Sequence, residues 1–162
     1  MAIGAGGVDL GTLQNVGAAP HRLAGAVTFV AGTTGAIGQH TIFTVTGLVE
    51  IIMRWDCYVP LNSGGAATIS FGSPTAVDRL CSVTVATDID GGWYGATDMG
   101  SWASGSLISD SAWATCVRIS DNTIIADIVS SAITDGALRY YLEWKPISPG
   151  ATVTLGAELT AI

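Results

Sequence analysis

Apolar and polar residues alternate in short stretches along most of the chain after residue 25. An alternation with a period of two is the pattern of a β-strand with one buried face. These stretches are rich in Val, Ile, Thr and aromatic residues, which strands favour, and none keeps a helical period over three turns. The pattern predicts strands at Ala26–Val30, Thr41–Thr46, Val49–Val59, Ala67–Phe71, Leu80–Ala86, Ala112–Ile119, Thr123–Ser130, Ala137–Lys145 and Thr152–Leu159.

The segments between the predicted strands contain residues that favour turns. Asn62–Gly65, Asp121-Asn122 and Thr134–Gly136 supply residues that tolerate a positive φ angle. Pro146 and the pair Pro149-Gly150 remove backbone donors and turn the chain. Each of these sites therefore predicts the end of a strand.

Strands separated by turns in this way predict an all-β domain. We expect a single antiparallel β-sandwich or small barrel, jelly-roll-like or immunoglobulin-like, over residues 23–162, and the strand order stays open. Residues 1–22 contain five glycines and show little periodicity. They predict an extended N-terminal arm, with a frayed terminus as the alternative.

The strand predicted at residues 137–145 has the sharpest alternation. Alternate side chains of a strand point to opposite faces of the sheet, so the pattern divides this strand into an apolar and a polar set. The apolar set is expected in the core. It consists of Leu138, Tyr140, Leu142 and Trp144, and the opposite set consists of Arg139, Tyr141, Glu143 and Lys145.

Hydrophobic residues make up 49% of the chain, which is more apolar surface than one domain of 162 residues needs for itself. Residues 23–49 lack Lys, Arg, Asp and Glu, but glycines interrupt them and their alternation is that of strands. A membrane-spanning helix takes about 20 continuous apolar residues. We therefore interpret the excess as contact surface for other protein copies.

The charge balance excludes some partners. The chain has 6 Lys and Arg against 13 Asp and Glu, a net charge of −7. Binding to a phosphate backbone takes clustered Lys and Arg side chains. We therefore expect neither nucleic acid nor an acidic membrane surface as a partner.

The cysteines are predicted to be free thiols. Cys57, Cys81 and Cys116 lie far apart in apolar, strand-like stretches, without the spacing of a zinc site. Buried free thiols indicate folding in a reducing compartment. The first residues agree, since they have neither the basic start nor the apolar stretch of a secretion signal.

The predicted arm is one candidate contact segment. It keeps Ile3, Val8, Leu10 and Leu13, which a disordered tail would rarely carry. We expect these side chains to lie along a neighbouring subunit.

A second candidate contact segment is the connection at residues 87–111, which is longer than the others. It carries Trp93, Tyr94 and Trp102 among acidic and small residues. Long loops on sandwich domains often form binding sites. These three aromatic residues are therefore candidate interaction residues.

This connection offers groups to two classes of ligand. Asp88, Asp90 and Asp98 offer oxygens to Ca²⁺, but their spacing is not that of an EF-hand loop, so turn-forming hydrogen bonds are favoured over a metal site. The tryptophans could stack against a sugar ring, but aromatic residues in a sandwich more often lie in the core or in subunit contacts. We expect no metal and no cofactor.

The sequence gives little support for catalysis. His21 and His40 are isolated, and no nucleophile elbow, phosphate-binding loop or metalloprotease motif occurs. No spacing singles out one pair of carboxylates among the 13 acids. The prediction is a protein without enzymatic activity.

Three blocks carry a resemblance to a known group of proteins. They are His40–Gly47, Ala86–Trp93 and Gly136–Pro149, the last of which contains Tyr140–Pro146. In this order and spacing they resemble small structural proteins of tailed bacteriophages. The resemblance covers residues 23–153 and excludes the arm.

The resemblance implies a virion component, an auxiliary capsid protein of the decoration or cement type. Its partners would be the major capsid protein and copies of itself, as a trimer or dimer. It would be made in the host cytoplasm and lie on the capsid surface. A tail, spike or head-fibre subunit with a receptor-binding or carbohydrate-binding sandwich is the alternative.

Overall fold

The computed structural model describes residues 20–92, 94–96 and 116–162. These residues form strands and one short 3-10 helix, so the predicted all-β fold is confirmed. The strands are β1 His21–Thr28, β2 Gly38–Ser63, β3 Thr68–Ser73, β4 Ala76–Val85, β5 Tyr94–Ala96, β6 Val117–Val129, β7 Ile133–Pro146, β8 Thr152–Leu155 and β9 Thr160–Ala161, and the 3-10 helix is Ala86–Asp88.

All described strand pairs are antiparallel. The main order is β4-β3-β6-β2-β7-β1-β9, and β5 and β8 also pair with β2. The sheet does not close on itself. An open, folded sheet is a sandwich-like arrangement, so the structure favours the sandwich over the small barrel.

The long strand β2, with 26 residues, organises the fold. One of its edges pairs with β6 and then with β5, and the other pairs with β8 and then with β7. The register with β6 shifts between Val45 and Leu48, where Gly47 has a φ of 72°. Thr41–Thr46 and Val49–Val59, predicted as two strands, are therefore one strand with a bulge.

The neighbouring strand β6 has a matching irregularity. Asp121 has a φ of 43°, and its Oδ1 accepts a hydrogen bond of 2.6 Å from the Gly47 amide. The turn predicted at Asp121-Asn122 is therefore wrong, because the strand continues through it. The turn predicted at Thr134–Gly136 is wrong for a similar reason, since Gly136 has a φ of 111° within β7.

An aromatic cluster shows how the parts of the sheet pack together. Phe71 on β3 lies edge to face with Trp55 on β2 at 5.0 Å and with Tyr140 on β7 at 5.7 Å between ring centroids. β3 is hydrogen-bonded to neither β2 nor β7 in the described pairing. The contact therefore joins two sheet faces, which is the packing of a sandwich.

The predicted register of β7 is confirmed. Leu138, Tyr140 and Leu142 are buried among the core residues. Trp144 lies at the margin of the core, where it stacks on His21 with ring centroids 4.3 Å apart. The polar set of the same strand lies on the opposite face.

The N-terminal boundary of the sheet is earlier than predicted. β1 begins at His21, five residues before the predicted start at Ala26, and pairs with β7 over its whole length. The predicted arm up to residue 19 lies outside the described residues, and so do Ile3, Val8, Leu10 and Leu13. Within the described ranges, no helix has the length and apolar character needed to span a membrane.

The prediction of buried free thiols is correct for two cysteines. Cys57 and Cys81 are buried, and burial raises the pKa of Cys57 to about 11 and that of Cys81 to about 12. The prediction is wrong for Cys116, which is exposed because it precedes the first residue of β6.

Candidate binding face

The side chains on one side of β1, β2, β5, β6 and β7 form a continuous surface, which we call the outer face. Residues directly opposite each other on neighbouring strands point to the same side of a sheet. The register places Ala26, Arg139, Asp56 and Tyr94 in one row across four strands. The charged residues and tyrosines around this row are Arg22, Glu50, Arg54, Asp56, Tyr58, Tyr94, Arg118, Arg139, Tyr141, Glu143 and Lys145.

The outer face gathers most of the positive charge of an acidic protein. It holds five of the six Lys and Arg residues but only three of the ten acids among the described residues. The formal charge of the named side chains is therefore +2, whereas the other described residues hold seven acids and Arg79, a charge of −6. The outer face and the rest of the described residues thus differ in the sign of their charge.

Most of these cations face a carboxylate across the strands. Glu143 lies 3.5 Å from Arg22 and 3.8 Å from Arg54, and Glu50 lies 3.6 Å from Arg118. These pairs are exposed, so each contributes at most about 1 kcal/mol to stability. The outer face therefore presents paired charges, not the open basic strip that a phosphate backbone takes.

The best-ordered group on the outer face is the pair of Asp56 and Arg139. The Nε of Arg139 donates to Oδ2 of Asp56 at 3.0 Å, and Nη2 donates to the same oxygen. The guanidinium also lies over the ring of Tyr58, 4.8 Å from its centroid. The hydrogen bond to Asp56 raises the pKa of Arg139, so the arginine stays charged.

Tyrosines surround this pair. Three of the four tyrosines of the chain lie on the outer face: Tyr58 is 42% exposed, Tyr141 is 38% exposed, and Tyr94 is half-buried opposite Asp56. Partial burial, followed by the charge of Asp56, raises the pKa of Tyr141. Tyr and Arg, together with Trp, are the residues enriched at the energetic centres of protein interfaces.

The connection after β4 is held against β2 by backbone hydrogen bonds. The amide of Gly92 donates to the Cys57 carbonyl at 2.7 Å, and the amide of Leu61 donates to the Ile89 carbonyl at 3.1 Å. At Gly95 in β5, a Cβ atom would collide with the indole of Trp55, so only glycine permits this approach. These contacts fix the position of Tyr94.

The structure places one of the predicted interaction residues of this connection. Tyr94 lies on the outer face, whereas Trp93 and Trp102 lie outside the described residues. Asp88 and Asp90 are exposed, and the described part of the chain has no group of three or more His, Cys, Asp or Glu residues that could hold a metal ion.

Sequence reasoning missed the centre of the outer face. It assigned Arg139 and Tyr141 to the face of β7 opposite the core but did not interpret them as a site. Asp56 and Tyr58 alternate with buried residues of β2 and therefore lie on the same side of this strand. This alternation was the signal in the sequence that could have identified them. Comparisons with protein-family models, with curated proteins and with solved structures give no match.

Proposed function

We propose that this chain is a non-enzymatic structural protein of a tailed-phage virion, a decoration or cement protein that binds the major capsid protein lattice and stabilises the head. The observation that carries the proposal is the outer face, on which Tyr58, Tyr141 and the Asp56–Arg139 pair lie on a sheet of packed strands. The resemblance of the three sequence blocks to phage structural proteins supplies the location.

The dimensions of the outer face suit the centre of a protein interface. From Arg139 to Lys145 along β7 is about 20 Å, and from β1 across to β6 is about 14 Å, given the usual spacings in a sheet. A stable interface buries about 800 Å² on each partner. The outer face thus provides the central contacts, and other surfaces complete the interface.

The side chains of the outer face are already held in place before binding. Arg139 is fixed by Asp56 and Tyr58, and Glu143 lies between two arginines. Side chains that are ordered in advance lose little conformational entropy on association. A rigid sheet with such a surface suits a protein that must hold neighbouring shell subunits together.

The cementing mechanism follows from contact area. A subunit that bridges two shell proteins adds buried surface at their joint, and binding to the assembled state alone stabilises that state. Copies of this chain, as a trimer or dimer, would contact one another as well as the shell. The acidic remainder of the molecule would face outward and repel free DNA.

A specific observation also favours the second candidate, a tail, spike or head-fibre subunit that binds carbohydrate. Tyr58 and Tyr141 are exposed beside the carboxylate of Asp56 and the guanidinium of Arg139. An aromatic ring can stack on a sugar ring, and the neighbouring charged groups can hydrogen-bond its hydroxyls. The same surface therefore suits a glycan.

One experiment separates the two candidates. The double variant Tyr58→Thr/Tyr141→Thr is compared with a control, Val83→Thr/Val129→Thr, which changes exposed residues off the outer face. Binding to purified capsid shells and to a glycan array is measured. We expect the tyrosine variant to bind shells at least about tenfold more weakly, the control to bind as the unmodified protein does, and no glycan to bind. Glycan binding that is lost in the tyrosine variant, without shell binding, would favour the second candidate.

A further inference from the structure

Strand β6 is paired unevenly along its length. Residues 117–120 pair with β2 on one edge, whereas β3 joins the other edge only at Ile125 and beyond. In the described part of the chain, the second edge of residues 117–122 therefore has no strand partner. A cleft of about 240 Å³ lies along this edge, between β6 and the β3–β4 hairpin.

Two arginines line this cleft, Arg79 on β4 and Arg118 on β6. Arg79 has no ion pair with any described residue, and Arg118 has one contact of 3.6 Å to Glu50 with a side chain that is 73% exposed. None of the described lining residues is acidic, although the chain has 13 acids. The cleft thus has the charge of a site for an anionic group.

The cleft also contains polar groups that can donate hydrogen bonds to an anionic ligand. The Oδ1 of Asn122 accepts a hydrogen bond of 2.8 Å from the Thr123 amide, which leaves its NH₂ group to donate. Ser73 and Ser120 add hydroxyls. A carboxylate accepts several such hydrogen bonds at once.

The floor of the cleft is apolar. Leu80 is buried, and Val117 and Ile119 are half-buried. The volume is below the range of about 300 to 1,000 Å³ that holds a drug-sized ligand. It suits one or two side chains of a longer, extended partner.

We propose that this cleft binds an extended acidic peptide segment of a partner protein, which adds as a strand to the edge of residues 117–122 that no described strand pairs with, and places a carboxylate between Arg79 and Arg118. Addition to a sheet edge gives affinity through backbone hydrogen bonds, and side-chain pockets give specificity. A free phosphate would use the arginines but neither the strand edge nor the apolar floor. The inference does not depend on the proposed virion role, because Arg118 is the one cleft residue named on the outer face and the other groups belong to the cleft alone.

The test uses a fluorescent hexapeptide of alternating valine and acidic residues and measures its binding by anisotropy. Arg79→Gln and Arg118→Gln are compared with Arg22→Gln, which makes the same charge change at an exposed arginine outside the cleft. We expect each cleft variant to weaken binding by about tenfold or more, because each loses a charge-assisted hydrogen bond to the carboxylate of the peptide. Arg22→Gln should leave binding unchanged.

Two altered peptides test the mode of binding. A peptide with Gln and Asn in place of its acids should bind weakly, and so should the acidic peptide N-methylated at alternate backbone amides. Equal losses for Arg22→Gln and Arg79→Gln would overturn the proposal, because they would indicate unspecific attraction. Full binding of the N-methylated peptide would overturn edge addition, and inorganic phosphate that binds more tightly than the peptide would indicate a simple oxyanion site instead.

Discussion

The pair of Asp56 and Arg139 orders the centre of the outer face. Its two hydrogen bonds hold the guanidinium over Tyr58, and the carboxylate also raises the pKa of Tyr141. Asp56 therefore holds Arg139 against Tyr58 and also influences the ionisation of Tyr141. Its removal should be visible in the ionisation of Tyr141 as well as in stability.

We predict that Asp56→Asn lowers the pKa of Tyr141, because the variant removes a negative charge and leaves the positive charge of Arg139 unbalanced. The measurement is an ultraviolet titration of tyrosinate, with Tyr141→Phe to assign the change. The free energy of unfolding should fall by about 1 kcal/mol, since the pair is partly exposed. An unchanged titration would contradict the contact.

The buried thiols predict a loss of stability at alkaline pH. Burial raises the pKa of Cys57 to about 11 and of Cys81 to about 12 from an ordinary value of 9.0. A raised pKa favours the protonated folded state, so this stability is fully present below pH 9.0 and is lost as the pH rises toward the folded values.

Urea unfolding at about pH 8 and about pH 10 checks this prediction. We expect the free energy of unfolding to fall by up to about 1.4 kcal/mol per pH unit for each buried thiol. Cys81→Ala should reduce the slope by one such contribution. Cys116→Ala serves as the control at an exposed position. Equal effects of the two substitutions would show that burial is not the cause.

At the scale of the elements, the bulge at Gly47 and Asp121 lets two long strands continue past an irregularity together. The side chain of Asp121 satisfies the amide of Gly47, which the shifted register leaves without a ladder partner. A glycine at a φ of 72° avoids the strain that a Cβ atom would meet. The pairing of β2 with β6 depends on this contact.

We predict that Asp121→Ala lowers the free energy of unfolding by about 1 to 3 kcal/mol, because it leaves the Gly47 amide unsatisfied and puts alanine at a positive φ. Asp121→Asn should cost less, since asparagine keeps an acceptor and tolerates this conformation. Asp78→Ala is the matched control at an exposed acid in β4. A loss equal to that of the control would contradict the role of this hydrogen bond.

Sequence patterns predicted most of the strand positions because burial repeats with a period of two along each strand. They did not predict the bulges, since Gly47, Asp121 and Gly136 give the same local signal in a bulge as in a turn. Whether a strand continues depends on its partner, which is distant in the chain. Local sequence carries no such information.

The sequence predicted only part of the candidate site, because the rest depends on contacts between residues that are distant in the chain. Alternation alone assigned Arg139 and Tyr141 to one side of β7, and composition drew attention to Tyr94. Asp56 and Arg139 are 83 residues apart, so their contact follows from the register of β2 with β7. Register was not readable from the chain.

At the scale of the whole molecule, the outer face differs from the other described residues in charge and chemistry. The outer face combines a formal charge of +2 with three tyrosines, and the other described residues are acidic. Such a division suits a protein that binds on one side and faces solvent on the other. The proposed function requires the outer face to contact a capsid shell.

Electron cryomicroscopy of a phage particle that carries this chain is the decisive measurement for the proposed role. We expect density for this chain on the icosahedral shell, with Tyr58, Tyr141 and Arg139 turned toward capsid subunits. Density confined to the tail or to projecting fibres would contradict cementing, and density on the shell with the outer face turned to solvent would contradict the proposed mode of binding.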